Sequence, residues 1–199
     1  MTRVQLGRPV GASGEETRRR IIVATMRCVA EVGYSKATIR EIARAAQVTS
    51  ASLYNYFPNK SELIQAAIAA RTDVALPRLR RAAERPGSPI DRIEAVLDES
   101  GRLMREFPDL AAFEWAIRAE SAVELDPRLA GSTGFTAFRD IIEGIVDGAP
   151  EGAVEAIYSL IYGLTELGAS LPPEDYQAAL RAAKKLIRGT LLGPRGRNS

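Results

Sequence analysis

The stretch TIREIARAAQVTSASLYNYFPNK, Thr38 to Lys60, decides how the chain is read. Thr38 followed by Glu41 is a capping-box pair, in which each side chain satisfies an orphan backbone N–H at a helix start. Ile39, Ile42, Ala43 and Ala46 then recur at helical spacing. Gln47-Val48-Thr49 interrupts the pattern, and Thr49 or Ser50 can cap a second short helix that turns Leu53 and Phe57 inward and stops at Pro58. Asn59 and Glu62 repeat the capping pattern and open a third helix through Leu63, Ala67 and Ile68.

Two helices this short are marginal alone and must pack on a third. The segment upstream supplies it. Ser13 and Glu16 are another capping pair, and Ile21, Thr25, Cys28, Val29 and Val32 fall on one helical face that ends at Gly33. The three helices make a helix-turn-helix unit over residues 13–58, preceded by a flexible arm at 1–12. Strand signals are weak throughout, so the expected fold is all-α. Behind the first unit, residues 59–192 read as a helical bundle and 193–199 as a disordered tail. Pro77 is expected to kink or break its helix. Ser88-Pro89-x-Asp91 is a helix start whose buried face carries Ile90, Ile93, Val96, Leu97, Leu103 and Met104.

Charge is divided unevenly. Residues 1–60 hold ten Lys and Arg against four acids, a net +6, while the remaining 17 basic and 21 acidic residues leave the rear at −4. A basic front suggests a polyanionic partner. The chain has no histidine and a single cysteine, which removes the commonest general base, argues against a metal centre and excludes an intrachain disulfide. Cys28 lies in the apolar stripe and reads as a buried structural thiol. No cofactor site is read. No signal sequence and no membrane-spanning run is evident, so a cytoplasmic, non-membrane protein is expected.

In a helix-turn-helix the second helix enters the major groove of double-stranded DNA, its N-terminal residues meeting base edges. Here that helix is Ser50 to Phe57, and its outward side chains are Ser50, Ala51, Ser52, Asn55 and Tyr56. Hydroxyls and amides bond phosphates and base edges, and Ala51 suits a thymine methyl. Thr38 and Thr49 stand at helix N-termini, where backbone N–H groups favour a phosphate. Tyr54 and Tyr56 bring phenol donors, Lys60 brings a cation, Arg40 and Arg44 lie on the solvent face of the preceding helix, and Arg3 and Arg8 in the arm suit a minor groove.

With Tyr34-Ser35-Lys36-Ala37-Thr38-Ile39-Arg40-Glu41-Ile42-Ala43, then Ala46, Val48 and Leu53-Tyr54-x-Tyr56-Phe57-Pro58-Asn59-Lys60-x-x-Leu63, the sequence resembles the TetR family of repressors. The likeness covers about residues 15–65. It implies phosphate contacts at Thr38, Thr49, Tyr54, Tyr56 and Lys60, base reading around Ser50, Ala51, Ser52 and Asn55, and a rear domain that dimerises and binds a small molecule. Tyr56 in place of the family's commoner histidine, and Ser50-Ala51 in place of a frequent Lys-Gly pair, mark where this protein's own specificity should lie.

The rear carries no motif of its own. Two apolar stripes, Val154, Ile157, Ile161 and Leu164, then Tyr176, Leu180, Ala183 and Ile187, are expected to form a homodimer seam, with Gly163 and Gly168 permitting close approach. The large side chains Met104, Phe107, Phe113, Trp115, Phe138, Tyr158 and Tyr162, with Arg118 as a polar anchor, are candidates for lining a site for a small apolar or aromatic effector. The expected function is a non-enzymatic, ligand-responsive repressor that binds a palindromic operator. A DNA-binding regulator gated by a protein partner, and more remotely an enzyme, stay open.

Overall fold

The computed structural model describes residues 10–121, 135–189 and 191, with side chains described for all of these except 10–12, 110, 118–121 and 135–136. Among them are helices and no strand. In chain order they are α1 (Val10–Val32), α2 (Ile39–Ala45), α3 (Ser50–Tyr56), α4 (Lys60–Ala83), α5 (Pro89–Glu106), α6 (Pro108–Ser121), α7 (Phe135–Ile145), α8 (Ala153–Ser170) and α9 (Pro173–Ile187). The arm arginines Arg3 and Arg8, the Arg118 side chain and the tail 193–199 lie outside the described residues.

Side-chain caps open four of the described helices. Thr38 opens α2 and Ser88 opens α5, each with a reciprocal capping box, and Thr49 rather than Ser50 caps α3. Asn59 accepts from the Glu62 N–H at 2.9 Å, but the Glu62 carboxylate meets the Asn59 side-chain amide instead of closing the box on the backbone. At the end of α1, Gly33 takes φ 82, and its N–H reaches back to the Val29 carbonyl at 2.9 Å. Only a residue without Cβ adopts that turn cheaply.

Three expectations are corrected. α1 begins at Val10, so Ser13 is an interior residue, and its carbonyl accepts from the Thr17 hydroxyl at 2.9 Å. Once a helix is docked, adding a turn needs no new nucleus, and a capping sequence inside it is simply passed over. α4 runs through Pro77, so the helix is not broken there. Leu63, Ile64, Ala67 and Ile68 anchor it on one side and Leu79, Ala82 and Ala83 on the other. Burial on both sides outweighs the roughly 3 kcal/mol that an interior proline costs. Val32 and Ile90, placed on buried stripes by their spacing, are exposed at the ends of their helices.

Two apolar cores organise the chain. The first gathers α1 to α3 and the front of α4, including Ile21, Val29, Ile42, Leu53 and Leu63, but it also takes Phe113 and Ile117 from α6. The second gathers the rear of α4 with α5, α7, α8 and α9. α4 therefore spans both cores, and α6 packs on α1 on one side and on α8 on the other. The division expected between residues 58 and 59 does not coincide with the division between the cores. Where α4 meets α6, Arg71 and Glu114 form an ion pair whose side chains are only 12% and 11% exposed.

The second core absorbs the residues expected to form a dimer seam. Ile161, Leu164, Tyr176, Leu180 and Ala183 are buried within the chain itself, and Val154, Ile157 and Ile187 pack half-buried against the same core. Burial pushes the Tyr176 phenol up to about 12. The physical reason is that α8 and α9 each have one strong stripe and first cover their own neighbours, α8 packing chiefly on α6 and α9, and α9 on α5 and α8. Gly168 serves this inner packing: a Cβ there would lie 2.6 Å from the Met104 sulfur, whereas a Cβ at Gly163 would meet open space. Charge closes the outer edge of the same layer. Lys184 donates to both Asp98 oxygens at 2.9–3.0 Å, and Arg188 donates to Glu94 at 2.5 Å and to Asp91 at 2.8 Å.

Candidate nucleic-acid interface

The interface is built on two seven-residue helices held by their ends. The Thr38 hydroxyl accepts from the Glu41 N–H at 3.2 Å, and the Glu41 carboxylate accepts from the Thr38 N–H at 3.0 Å and from its hydroxyl at 2.8 Å. The Thr38 backbone bond, then its hydroxyl bond, holds the Glu41 carboxyl below the usual range. At α3 the Thr49 hydroxyl accepts from the Ser52 N–H at 3.0 Å. Between the helices Gln47 stands at φ 58, a left-handed conformation that a residue with a Cβ adopts only at a cost of about 1–2 kcal/mol. The turn is closed by Val48 N–H to Ala43 O at 2.9 Å and Gln47 N–H to Arg44 O at 3.1 Å.

This tight turn fixes which face of α3 looks outward. Leu53 and Phe57 are buried. Ala51, Tyr54 and Asn55 are exposed, Tyr54 at 49%, and Ser50 and Ser52 are half-buried beside them. Tyr56 is half-buried and packs on the first core, so less of it reaches outward than its position suggests. Arg40 and Arg44 are exposed on α2. The result is an outward face of small hydroxyl, methyl, amide and phenol groups, with exposed arginines on the preceding helix. A major groove admits a helix, and these donors are of the kind that meet base edges and phosphates.

Two contacts were not legible in the sequence. The Lys60 ammonium donates to the Tyr34 carbonyl at 2.5 Å, lies 3.5 Å from that of Ser35 and sits 4.4 Å over the Tyr34 ring. It thereby ties the start of α4 to the loop after α1. The Arg18 guanidinium lies 5.1 Å over the Phe57 ring. Both pair residues far apart in sequence, so no local spacing announces them.

The large rear side chains do not converge on one place. Phe113 is fully buried in the first core, whereas Met104 and Phe138 pack half-buried against the second. Phe107 and Tyr162 are each 38% exposed. Trp115 and Tyr162 meet edge to face, ring centroids 5.6 Å apart, and Tyr158 is half-buried one position along from Ile157. Among the described residues no group of carboxylate or thiol side chains is placed to hold a metal ion. No helix among them is long and apolar enough to cross a membrane.

The family described as bacterial regulatory proteins, tetR family, matches residues 21–67, which run from the first buried isoleucine of α1 to the front of α4. Over those residues the chain is similar to the TetR family. Its sequence relatives are named as transcriptional regulators. The HTH-type transcriptional repressor KstR of Mycolicibacterium smegmatis is 32% identical over 116 residues, 56% of this chain and 56% of that protein. The chain thus spans about half the length of the curated relative it matches. Likeness of fold extends further. The transcriptional regulator FadR from Bacillus subtilis, solved with stearoyl-CoA, superposes with a TM-score of 0.67 at 18% identity, over 89% of this chain and 99% of that one. The TetR-like regulator LfrR from Mycobacterium smegmatis, solved with proflavine, gives 0.65 at 21% identity over 92% and 99%. At these identities the two structures establish the TetR fold for the rear helices and nothing about their ligand.

Proposed function

We propose that the chain is a cytoplasmic homodimeric repressor that binds a palindromic operator and is released by a small-molecule effector. The observation that carries this is the outward face of α3. Ala51, Tyr54 and Asn55 stand clear of the fold, while Leu53 and Phe57 lock the helix from behind. Ser50, Ala51, Ser52 and Asn55 read base edges. Thr38, Thr49, Tyr54, Tyr56, Arg40 and Arg44 hold phosphates, and Lys60 adds its charge while bracing the loop after α1.

A two-fold operator calls for a two-fold protein, with half-sites about 34 Å or a multiple apart. The seam is the outer side of α8 and α9, where Leu186 is 51% exposed and Gly163 leaves room for a close approach. The effector is apolar or aromatic. FadR and LfrR, which share this fold, were solved with stearoyl-CoA and with proflavine. In this chain Met104, Phe138, Tyr158 and the Trp115–Tyr162 pair are the groups to meet such a ligand. An effector that binds better to a dimer with the wrong spacing between recognition helices draws the population away from DNA.

The test is a selection from a pool of randomised duplexes, followed by titration of the enriched operator. Tyr54→Phe should weaken binding to operator and unrelated DNA alike, and Asn55→Ala should lower operator affinity about 5- to 150-fold, the equivalent of about 1–3 kcal/mol. No enriched sequence, or an Asn55→Ala variant that binds the operator as tightly as the parent, would overturn the assignment.

A further inference from the structure

Three arginines of α1 take part in neither core, nor in the outward face of α3. Arg19, Arg20 and Arg27 are exposed along the helix and form one wall of an open cleft of about 430 Å³. The other wall is the end of α2 and the turn residue Gln47. Glu16 is the one acid lining the cleft. Arg27 also lies 3.6 Å from Asp109, but the two side chains are 61% and 50% exposed, so that pair is weak. Three guanidinium groups against one carboxylate leave the cleft cationic, and its complement is an anion that takes donors from several arginines at once.

The position of the cleft says which anion. Gln47 in its far wall is two residues before Thr49, the cap of α3. The N-terminal end of α3 is the part that enters the groove, so the backbone bordering that groove runs on past Gln47. Arg19 to Arg27 covers about 12 Å of helix. That is roughly three to four base-pair steps at about 3.4 Å each.

We propose that the α1–α2 cleft is a phosphate-binding groove that holds the DNA backbone flanking each half-site, so that the footprint extends beyond the bases read by α3. This rests on the repressor reading above. The shared chemistry is a phosphate oxyanion, and a free phosphate is the other source to be told apart.

The experiment compares two duplexes carrying the selected operator. One is trimmed to the bases whose identity the selection specifies, and the other is lengthened at both ends by about one helical turn of arbitrary sequence, about 10 base pairs. Affinities are measured over a range of salt concentrations. The parent protein should prefer the longer duplex, with a slope of log K against log salt steeper by about 2–3, or about 0.9 for each phosphate held. The length preference should then shrink about forty-fold between 50 and 200 mM salt. The triple variant Arg19→Ala/Arg20→Ala/Arg27→Ala should lose the preference yet bind the short duplex as the parent does, and the triple lysine variant should keep much of it. The single exposed change Arg20→Glu, which leaves the fold intact, should reduce the preference on its own.

Equal affinity of the parent for both duplexes overturns the groove, as does a length preference that survives in both arginine variants. If inorganic pyrophosphate raises the melting temperature of the parent but not of the triple alanine variant, and duplex length has no effect, the cleft serves a free anion. Failure to bind either duplex overturns the repressor reading and the groove together, whereas equal binding to both overturns the groove alone.

Discussion

Phe113 is the residue on which the division of labour between the two cores can be tested most sharply. It belongs to α6, yet it is 0% exposed and sits in the core of the DNA-binding helices. A buried phenylalanine covers about 150–250 Å². At about 25 cal/mol per Å² this corresponds to roughly 4–6 kcal/mol for the whole side chain. Alanine keeps the β-carbon, and partial collapse of the cavity offsets a little more, so Phe113→Ala should cost about 3–5 kcal/mol. Against a total of about 5–15 kcal/mol for a domain, that is a large fraction. Urea unfolding followed by circular dichroism should show a lower midpoint with an unchanged slope. Operator binding measured by fluorescence anisotropy should weaken near the new melting temperature, with no effector present. Phe107→Ala is the control. That ring is 38% exposed, and its loss should cost about 1 kcal/mol or less. If Phe113→Ala costs no more than Phe107→Ala, and instead changes only the response to effectors, Phe113 lines a ligand site and the shared-core argument fails.

Four further expectations follow from local geometry. Thr38→Ala removes both halves of the α2 capping box and should cost about 1 kcal/mol in urea melts, within the range of about 0.5–2. The Glu41 carboxyl is held low by the Thr38 N–H and then its hydroxyl, and Asp91 by the Ser88 hydroxyl and then Arg188. Folded values below the unfolded ones mean stability that is present above the unfolded pKa and lost as pH falls through the folded one, so thermal melts taken from neutrality into the acid range should show that loss, smaller in Thr38→Ala. Burial first, then Glu31 and Glu41, raise the Cys28 thiol, so iodoacetamide should label the native protein at neutral pH more slowly than the urea-unfolded chain. Glu114→Gln takes the carboxylate from a buried guanidinium and should cost about 3–5 kcal/mol, whereas exchanging Arg71 and Glu114 together for Met and Leu should cost far less; a double-mutant cycle that shows no coupling would refute the pair.

The front of the molecule was legible in the sequence because its determinants are local. Thr38 with Glu41, Thr49 with Ser52 and Gly33 after Val29 act within one helical turn, and the structure reproduces each. The inward pair Leu53 and Phe57 is likewise set by spacing alone. The rear was less legible because periodicity tells which face of a helix is apolar but not what covers it. The spacing through Ile161, Leu164, Tyr176 and Leu180 announces a buried face, but it does not announce that α5 and α6 supply much of its cover within the chain. Phe113 and Ile117 illustrate the same gap, since their i, i+4 spacing announces an apolar face but gives no sign that it looks toward α1. Lys60 failed to be read for a different reason. A cation near a DNA-binding helix suggests a phosphate, and only the fold reveals the Tyr34 carbonyl within its reach.

The lodging of α6 in the front core has a consequence for modularity. A fragment cut after the last residue of the helix-turn-helix would leave a hole where Phe113 and Ile117 belong, with Ile21, Val29 and Leu63 among the apolar groups of that core. Cavities of this kind favour aggregation or a loosened fold. Exchanging recognition helices between relatives is therefore a gentler operation than exchanging whole rear domains. A chimera that grafts a foreign sensor behind this DNA-binding unit would have to bring an α6 whose face fits this α1, and the graft is best made across that seam rather than along the chain.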